Sequence, residues 1–128
     1  MSNEKKMAEL DAVTTITELR QVVRSFIEAR EWQQFHTPKN LSMSLAVEAS
    51  ELMELFIWAE GRDASHAQLA RKRREVEQEL ADIVILTVCF ANNCGIDIMT
   101  AVKEKFVENA KKYPVEKARG RSEKYTEL

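Results

Sequence analysis

Two pairs of acidic residues occur at the same spacing in two separate, mainly apolar stretches of the sequence. Glu48 and Glu51 lie within LAVEASELMELFIW, and Glu79 and Asp82 lie within REVEQELADIVILTVCF. Residues three apart share one face of a helix, so each pair is predicted to lie in an apolar stripe of its helix. Four carboxylates brought together repel one another, and burial raises their pKa values further. A divalent cation relieves this repulsion, and ligands that are all oxygen favour Mg²⁺, with Mn²⁺ as a substitute.

The other acidic residues nearby are interpreted differently. A single ExxE pair is most often a solvated feature of an amphipathic helix, and it is the second pair that favours a metal site. Glu54 and Glu60 lie off the stripe and are predicted to be surface residues. Glu75 precedes the second pair on its stripe, and it is left open as a fifth ligand, a supporting group or a surface charge.

A third candidate group lies in the segment VKEKFVENAKKYP. Lys105, Asn109 and Lys112 are spaced four and three residues apart, so they share a helix face. Two ammonium groups and an amide suit the oxygens of a polyphosphate. The alternative is that the lysines are solvated at the C-terminal end of a helix, where the helix dipole favours cations.

Aromatic residues stand on both sides of the first acidic pair in the sequence. Trp32, Phe35 and His36 fall in a short connection before it, and Trp58 lies further along the same predicted stripe. Flat rings beside a phosphate site could stack on a nucleobase. The alternatives are that both tryptophans belong to the core and that His36 is a capping or surface residue.

Capping signals mark where the first two helices begin. Thr15 with Glu18 fits a capping box, and an apolar residue recurs at helical spacing after it. The second helix begins at Thr37, which is followed by Pro38 in the favoured first helical position, or at Asn40.

Glycine, proline and a further cap divide the rest of the chain. Gly61 and Gly95 are predicted to end the second and third helices, Asp97 caps the fourth, and Pro114 ends it. The third helix is unusually long, so a break is expected before Arg71. The predicted helices cover about residues 15–31, 40–60, 65–93 and 97–113.

The composition fits a single all-α domain. The chain has 128 residues with only 3 Gly and 2 Pro, which leaves few turns and therefore few strands. A net charge of −2 argues against a nucleic acid polymer as partner, and the RKRR run at 71–74 is followed at once by glutamates. The sequence has neither an apolar run of about 18 residues, as a membrane span needs, nor a signal-peptide core. Cys89 and Cys94 match no disulfide framework and are interpreted as buried thiols of a cytoplasmic protein.

The predicted architecture is therefore a bundle of four helices with short connections. Residues 1–14 are expected to form a flexible N-terminus, residues 15–114 the domain, and residues 115–128 a C-terminal tail that packs on the oligomer. A homo-oligomer is expected because the second and third helices carry apolar faces that are wide for one small domain.

These motifs together resemble the MazG-type all-α nucleoside triphosphate pyrophosphohydrolases, most of all the branch of the dCTP pyrophosphatase type. The family signature, ExxE, a spacer and ExxD, reads here Glu48-Ala-Ser-Glu51 and Glu79-Leu-Ala-Asp82. The other matching elements are EWQQFHTPKN at 31–40, ELFIW at 54–58, the element formed by Lys105, Asn109, Lys112, Tyr113 and Pro114, and KYTEL at 124–128. Two positions depart from the pattern: Val47 stands where the family often has glutamate, and Leu86 where some dCTP-type members have tyrosine.

The resemblance implies hydrolysis of a nucleoside triphosphate to the monophosphate and pyrophosphate, with dCTP and 5-modified dCTP as expected substrates in nucleotide-pool cleaning. The residues that would hold Mg²⁺ and carry the chemistry are Glu48, Glu51, Glu79 and Asp82. The residues that would bind the base of the substrate are Trp32, His36, Asn40 and Trp58. Those that would bind the triphosphate, from the same or a neighbouring subunit, are Lys105, Asn109 and Lys112, and Tyr113 is a further substrate-binding residue. A homo-oligomer is implied, with a tetramer favoured over a dimer.

Three alternatives remain beside this hypothesis. The same reaction could act on dUTP or other nucleoside triphosphates. The chain could instead be a helical interaction module without enzymatic activity. A redox di-metal bundle would need ExxH pairs on two helices, and the sequence contains no ExxH.

Overall fold

The protein has only helices as regular secondary structure in residues 10–128, which is the part of the chain that the structure, a computed structural model, describes. Its helices are α1 (Ile16–Ala29), α2 (Pro38–Glu54), α3 (Gly61–Arg71), α4 (Arg73–Cys94), α5 (Ile98–Lys112) and α6 (Val115–Ala118), with two short 3₁₀ helices at Trp32–Phe35 and Tyr125–Glu127. The prediction of an all-α protein is confirmed. In residues 10–128 no single helix is long and apolar enough to span a membrane, and only α4 and α5 taken together reach that length and composition.

The predicted start of α1 is confirmed by its capping hydrogen bonds. The Thr15 hydroxyl accepts a hydrogen bond from the Glu18 backbone N–H at 3.1 Å, and the Glu18 carboxylate accepts one from the Thr15 N–H at 2.8 Å. At α2 the cap is Thr37, not Asn40, because the Thr37 hydroxyl accepts from the Asn40 N–H at 3.1 Å. These bonds satisfy amide groups that have no partner inside the helix.

The C-terminal end of α4 and the start of α5 also follow the prediction. Gly95 closes α4 with a φ of +64°, a left-handed conformation that glycine adopts without strain. The Asp97 carboxylate then accepts from the Thr100 N–H at 3.0 Å and caps α5. α5 ends at Lys112, just before Pro114.

The prediction that the second helix runs to residue 60 is wrong, because α2 ends at Glu54. The chain then turns, with the Phe56 N–H donating to the Met53 carbonyl at 2.9 Å. The Leu55 carbonyl is taken by the side-chain amide of Gln68 from α3, at 2.8 Å. This competing partner from another helix, together with aromatic and β-branched residues at 56–58, ends α2 early. Trp58 therefore does not lie on the α2 stripe.

The long third helix predicted for residues 65–93 is two helices. Its first part, α3, begins at Gly61 and not at residue 65, and Gly61, with a φ of +82°, opens this helix where it was predicted to end the previous one. The break falls at Lys72, directly after Arg71, whereas it was expected before Arg71. The Lys72 N–H still donates to the Gln68 carbonyl at 2.9 Å, so the interruption is confined to a single residue.

The described chain divides into two compact units, residues 10–95 and residues 96–128, which are considered separately. In the first unit α4 is the central helix and packs against α2, α1 and α3. The buried apolar residues of this unit are Val23, Leu41, Val88, Cys89 and Ala91, three of them from α4. Cys89 is therefore buried as predicted, whereas Cys94, at the exposed end of α4, is not.

The second unit contains α5, α6 and the C-terminal 3₁₀ helix. The rings of Tyr113 and Tyr125 meet edge to face, with centroids 6.0 Å apart and planes at 81°. The C-terminal residues 115–128 thus contain helical structure although their sequence shows no apolar period. At the other end of the chain, residues 10–13 are helical and the Thr14 N–H donates to the Leu10 carbonyl at 2.8 Å, while residues 1–9 of the predicted flexible N-terminus lie outside the described residues.

Truncation of Leu41 tests the packing of α2. This side chain is 2% exposed, so Leu41→Ala is expected to lower the free energy of unfolding by about 2–4 kcal/mol, because it leaves a cavity in the core. Lys39, on the same helix, has an exposed side chain, and Lys39→Ala serves as the matched control. Urea unfolding at one protein concentration measures the free energy of unfolding of the parent protein and of both variants. Equal losses would show that α2 does not pack through Leu41.

Candidate active site

Three of the four predicted carboxylates converge between α2 and α4. Glu48 and Glu51 project from α2 and Glu79 from α4, and one oxygen atom from each lies within 4.8 Å of the others. The packing of α2 against α4 brings them together, because each helix carries its acidic residues on its packed side. All three side chains are partly buried.

The carboxylates lack the hydrogen-bond donors that such burial normally requires. Glu48 Oε2 and Glu79 Oε2 are both buried, and neither has a hydrogen-bond partner among the described residues. The approach of the Glu79 carboxyl group, followed by burial and by Glu51 and Asp82, raises the pKa of Glu48 from 4.5 to about 7. Negative charge is therefore disfavoured at this cluster unless a cation or a proton offsets it.

A hard divalent cation fits this set of side chains. Three carboxylates on two helices offer only oxygen ligands, and the two buried oxygens have no competing partner. Asp82 lies outside the group of three and is exposed, but its charge contributes to the raised pKa of Glu48. The predicted set of four is thus brought together in part, with Glu48, Glu51 and Glu79 able to share one ion.

Glu75, which the sequence leaves open, does not belong to this cluster. It lies within 3.8 Å of the Lys72 ammonium group, and both side chains are half exposed. The neighbouring Arg73 pairs with Glu77 at 2.8 Å. The RKRR run and the glutamates after it therefore form the mixed-charge helix surface that was predicted.

A cavity of about 400 Å³ adjoins the carboxylates. Its wall includes Glu48 and Asp82 together with Trp32 and His36, two residues predicted to bind a base. The remaining lining residues are apolar and come from α1 and α4: Leu19, Val22, Val23, Phe26, Ile27, Ile85, Leu86 and Cys89. An apolar cavity with a few polar groups at its edge is typical of a small-molecule site.

Trp32 and His36 reach this cavity from the connection between α1 and α2. We call residues 30–37 the aromatic loop. Glu31 opens its 3₁₀ helix with a φ of +52°, an uncommon conformation for a residue other than glycine. The Trp32 ring meets the Phe26 ring edge to face, with centroids 5.8 Å apart. The Arg30 guanidinium lies over the Phe26 ring, 3.6 Å from its centroid.

Two residues predicted for the base pocket lie elsewhere in this chain. The Asn40 side-chain amide donates to the Phe35 carbonyl at 3.1 Å, so it supports the aromatic loop instead of lining the cavity. Trp58 is 93% exposed and borders a different hollow, beside Leu55 and Gln68, between the end of α2 and α3. The cause is the early end of α2, which removes Trp58 from the helix face of Glu48.

The residues predicted to bind triphosphate all belong to the second unit. Lys105, Asn109 and Lys112 lie on α5, where the two lysines are exposed and Asn109 is partly buried. The Lys112 ammonium group lies 5.1 Å from the centroid of the Tyr125 ring. Tyr113 follows directly and packs on the same ring.

Sequence reasoning missed the contribution of α1 to the cavity. The α1 residues that line it have the spacing of an ordinary core stripe, and nothing in their types separates a cavity wall from a packed core. It also missed Asn93, whose side-chain amide donates to the His36 carbonyl at 3.0 Å. No local signal points to a pair 57 residues apart.

Comparison with known proteins agrees with this site. The model of the MazG-like family matches residues 43–128, a segment that contains all four candidate carboxylates and the α5 residues. The chain belongs to the MazG-like family.

Its relatives are pyrophosphatases. The chain is similar to dCTP pyrophosphatase 1 of Homo sapiens, with 38% identity over 115 residues, which cover 89% of this chain and 68% of that protein. The Rattus norvegicus protein of the same name is 36% identical over the same shares. Among solved structures, a pyrophosphatase of Archaeoglobus fulgidus DSM 4304 superposes with a TM-score of 0.75 at 38% identity, covering 77% of this chain and 92% of that one. The protein is accordingly a hydrolase of the nucleotide pyrophosphatase class.

Proposed function

We propose that this protein is a Mg²⁺-dependent pyrophosphohydrolase that converts dCTP and 5-modified dCTP to the monophosphate and pyrophosphate. The observation that carries the proposal is the convergence of Glu48, Glu51 and Glu79 beside a cavity that holds Trp32 and His36. The similarity to dCTP pyrophosphatases supports dCTP as the substrate.

The carboxylates would bind the metal ion and accept the proton in this reaction. Glu48, Glu51, Glu79 and Asp82 would hold Mg²⁺, with Mn²⁺ as a substitute. When bound, the ion would neutralise phosphate charge and lower the pKa of a water molecule. One carboxylate of the cluster would accept a proton from the attacking water. The oxygen of that water would bond to phosphorus while the bond from this phosphorus to the departing pyrophosphate breaks.

The cavity would hold the nucleoside part of the substrate. Its volume of about 400 Å³ falls in the usual range for small-ligand sites. Trp32 offers a flat ring for stacking, and His36 offers a ring that can form hydrogen bonds with the edge of a base. Because Glu48 and Asp82 share this wall, a base bound here would leave its phosphates near the carboxylates.

The triphosphate would be bound by α5 residues of the same or a neighbouring chain. Lys105, Asn109 and Lys112 share one face of α5, and Tyr113 follows it. Their ammonium and amide groups donate hydrogen bonds to phosphate oxygens and offset part of the negative charge.

A panel of nucleotides tests the proposed function. The full chain with Mg²⁺ is incubated with dCTP, 5-methyl-dCTP, dUTP and the other dNTPs and NTPs, and products are separated by ion-exchange chromatography. The expected result is monophosphate and pyrophosphate in equal amounts, fastest with dCTP and 5-methyl-dCTP. Release of single phosphates, or no product from any nucleotide, would contradict the proposal.

A second candidate function is the same reaction on dUTP or another nucleoside triphosphate. It is favoured by Leu86, which lines the cavity and has no polar group to form a hydrogen bond with the base or the sugar. A site without such a hydrogen bond discriminates only weakly between nucleotides of similar size. Faster turnover of dUTP than of dCTP in the same panel would favour this candidate.

We also propose that the protein works as a homo-oligomer, with a tetramer favoured over a dimer. Large apolar side chains are exposed on both helices of the site, including Met43 and Val47 on α2 and Leu80 and Val84 on α4. Exposed apolar surface of this kind is typical of an interface. Light scattering is expected to give four times the chain mass of 14.7 kDa. A single chain mass at micromolar concentration would contradict this proposal.

Substitution of Trp32 tests the base site. Trp32→Ala is expected to raise KM for dCTP by about tenfold, because stacking of one base on an aromatic ring contributes roughly 1–3 kcal/mol. Trp32→Phe keeps a ring and is expected to retain most of the affinity. Phe35 belongs to the same loop, is 61% exposed and does not line the cavity, so Phe35→Ala is the matched control. An unchanged KM for Trp32→Ala would remove this residue from the base site.

A further inference from the structure

The aromatic loop is attached to both helices that carry the carboxylate cluster. Its consecutive carbonyl groups at Phe35 and His36 each accept a hydrogen bond from an asparagine side chain. Asn40, in the first turn of α2, donates to the Phe35 carbonyl at 3.1 Å. Asn93, in the last turn of α4, donates to the His36 carbonyl at 3.0 Å.

The two attachments constrain the loop differently. Asn40 is only five residues from Phe35, so its bond shapes the local turn into α2. Within the loop, the Gln34 side chain donates to the Glu31 carbonyl at 3.0 Å, which fixes the 3₁₀ turn but not its place on the domain. The bond from Asn93 spans 57 residues and joins the loop to α4, the helix that carries Glu79 and Asp82.

We propose that Asn93 is a positioning residue for nucleotide recognition, which holds the His36 carbonyl so that Trp32 and His36 stay in the cavity wall shared with Glu48 and Asp82. This inference rests on the proposed function. Asn93 acts only through the loop, and its amide contacts neither the carboxylate cluster nor a reacting atom.

The position of the bond predicts which kinetic constant changes. The carboxylates are brought together by direct contacts between α2 and α4, and the bond from Asn93 to the loop is not one of these contacts. Loss of the Asn93 bond would therefore leave the chemical step intact and weaken the binding of the base. A neutral hydrogen bond of this type corresponds to a change of about fivefold to tenfold in an equilibrium constant.

Asn92 supplies a matched control on the same turn of α4. Its side chain exchanges two hydrogen bonds with Arg20, accepting from the guanidinium at 2.9 Å and donating to the backbone carbonyl at 3.2 Å. Asn92→Leu thus removes at least as many hydrogen bonds as Asn93→Leu, but these bonds join α4 to Arg20 of α1 and not to the aromatic loop. Leucine matches asparagine in size and has no hydrogen-bond donor.

The experiment compares Asn93→Leu, Asn93→Gln and Asn92→Leu in the full chain by two measurements. The first is amide hydrogen exchange over residues 31–37 without nucleotide, and the second is the KM and kcat for dCTP with Mg²⁺. For Asn93→Leu we expect loop exchange at least fivefold faster and KM about fivefold to tenfold higher, with kcat within twofold. Asn93→Gln keeps the donor and is expected to stay within about twofold in KM, and Asn92→Leu is expected to leave both loop exchange and KM unchanged.

Two results would overturn the proposal. Unchanged loop exchange in Asn93→Leu would show that the bond does not hold the loop, whether or not the protein hydrolyses nucleotides. A fall in kcat with an unchanged KM, or the same KM rise in Asn92→Leu, would show a general structural role. If the parent protein released no pyrophosphate, the proposed function would fail, and with it the recognition role of Asn93, even where exchange shows that the loop is held.

Discussion

Glu79→Gln is expected to lower the rate of pyrophosphate release from dCTP by roughly a thousandfold. The substitution keeps the size of the side chain but replaces one of three converging carboxylates with a neutral amide. Metal-assisted stabilisation of transition-state charge contributes several kcal/mol, and each 1.36 kcal/mol is tenfold in rate. Glu51→Gln is expected to behave in the same way, because Glu51 belongs to the same group of three.

Matched controls on the same two helices separate this effect from a general change in charge. Glu77→Gln on α4 removes a carboxylate that pairs with Arg73 at 2.8 Å, away from the cluster. Glu54→Gln removes an exposed carboxylate at the C-terminal end of α2. Both controls are expected to keep at least half of the parent activity, measured as initial rates with saturating Mg²⁺. Full activity in Glu79→Gln and Glu51→Gln would mean that the carboxylate cluster is structural.

The second large effect concerns the stability of the folded protein. A ligand present at one hundred times its Kd stabilises the native state by about 2.7 kcal/mol. For a chain of this size Mg²⁺ or Mn²⁺ is therefore expected to raise Tm by roughly 10 °C. Differential scanning calorimetry of the metal-free protein, before and after addition of each ion, measures this shift.

The same experiment has a predicted pH dependence. The pKa of Glu48 is raised in the folded state from 4.5 to about 7, so the folded protein holds this proton more tightly than the unfolded chain. The resulting stability is complete below pH 4.5 and is lost as the pH rises through 7. The metal-free protein is thus expected to melt at a lower temperature at pH 8 than at pH 6. The shift on adding Mg²⁺ is larger at pH 8, because the ion no longer competes with the proton.

Glu48→Gln is the control for both parts of this prediction. It removes the titrating carboxyl group, so the part of the fall in the metal-free Tm between pH 6 and pH 8 that is due to Glu48 should disappear. It also removes one ligand, so the shift caused by Mg²⁺ should shrink to a few degrees. If Mg²⁺ left the Tm of the parent protein unchanged at both pH values, the assignment of the cluster as a cation site would be contradicted.

The parts of the fold that follow from local chemistry could be predicted from the sequence. The capping box at Thr15 and Glu18 and the left-handed Gly95 depend on neighbouring residues only, whereas the sequence left the cap of α2 open between Thr37 and Asn40. The convergence of the carboxylates could also be predicted in part. Helical spacing places each pair on one face, and two wide apolar faces in one small chain must pack together.

The parts that failed depend on contacts between distant residues. α2 ends at Glu54 because Gln68, from another helix, takes the Leu55 carbonyl. That single event moves Trp58 off the stripe on which helical spacing placed it. The bond of Asn93 could not be predicted for the same reason, since its partner His36 is 57 residues away in the sequence.

The role assigned to the carboxylate cluster is to bind a divalent cation for the hydrolysis of a nucleoside triphosphate. The most direct test is the rate of pyrophosphate release from dCTP by the full chain, first with excess chelator and then with Mg²⁺ restored. No release above background is expected with chelator, and full recovery of the rate is expected with Mg²⁺. An equal rate under both conditions, or no release with Mg²⁺ from dCTP or any other nucleotide, would contradict this role of the cluster.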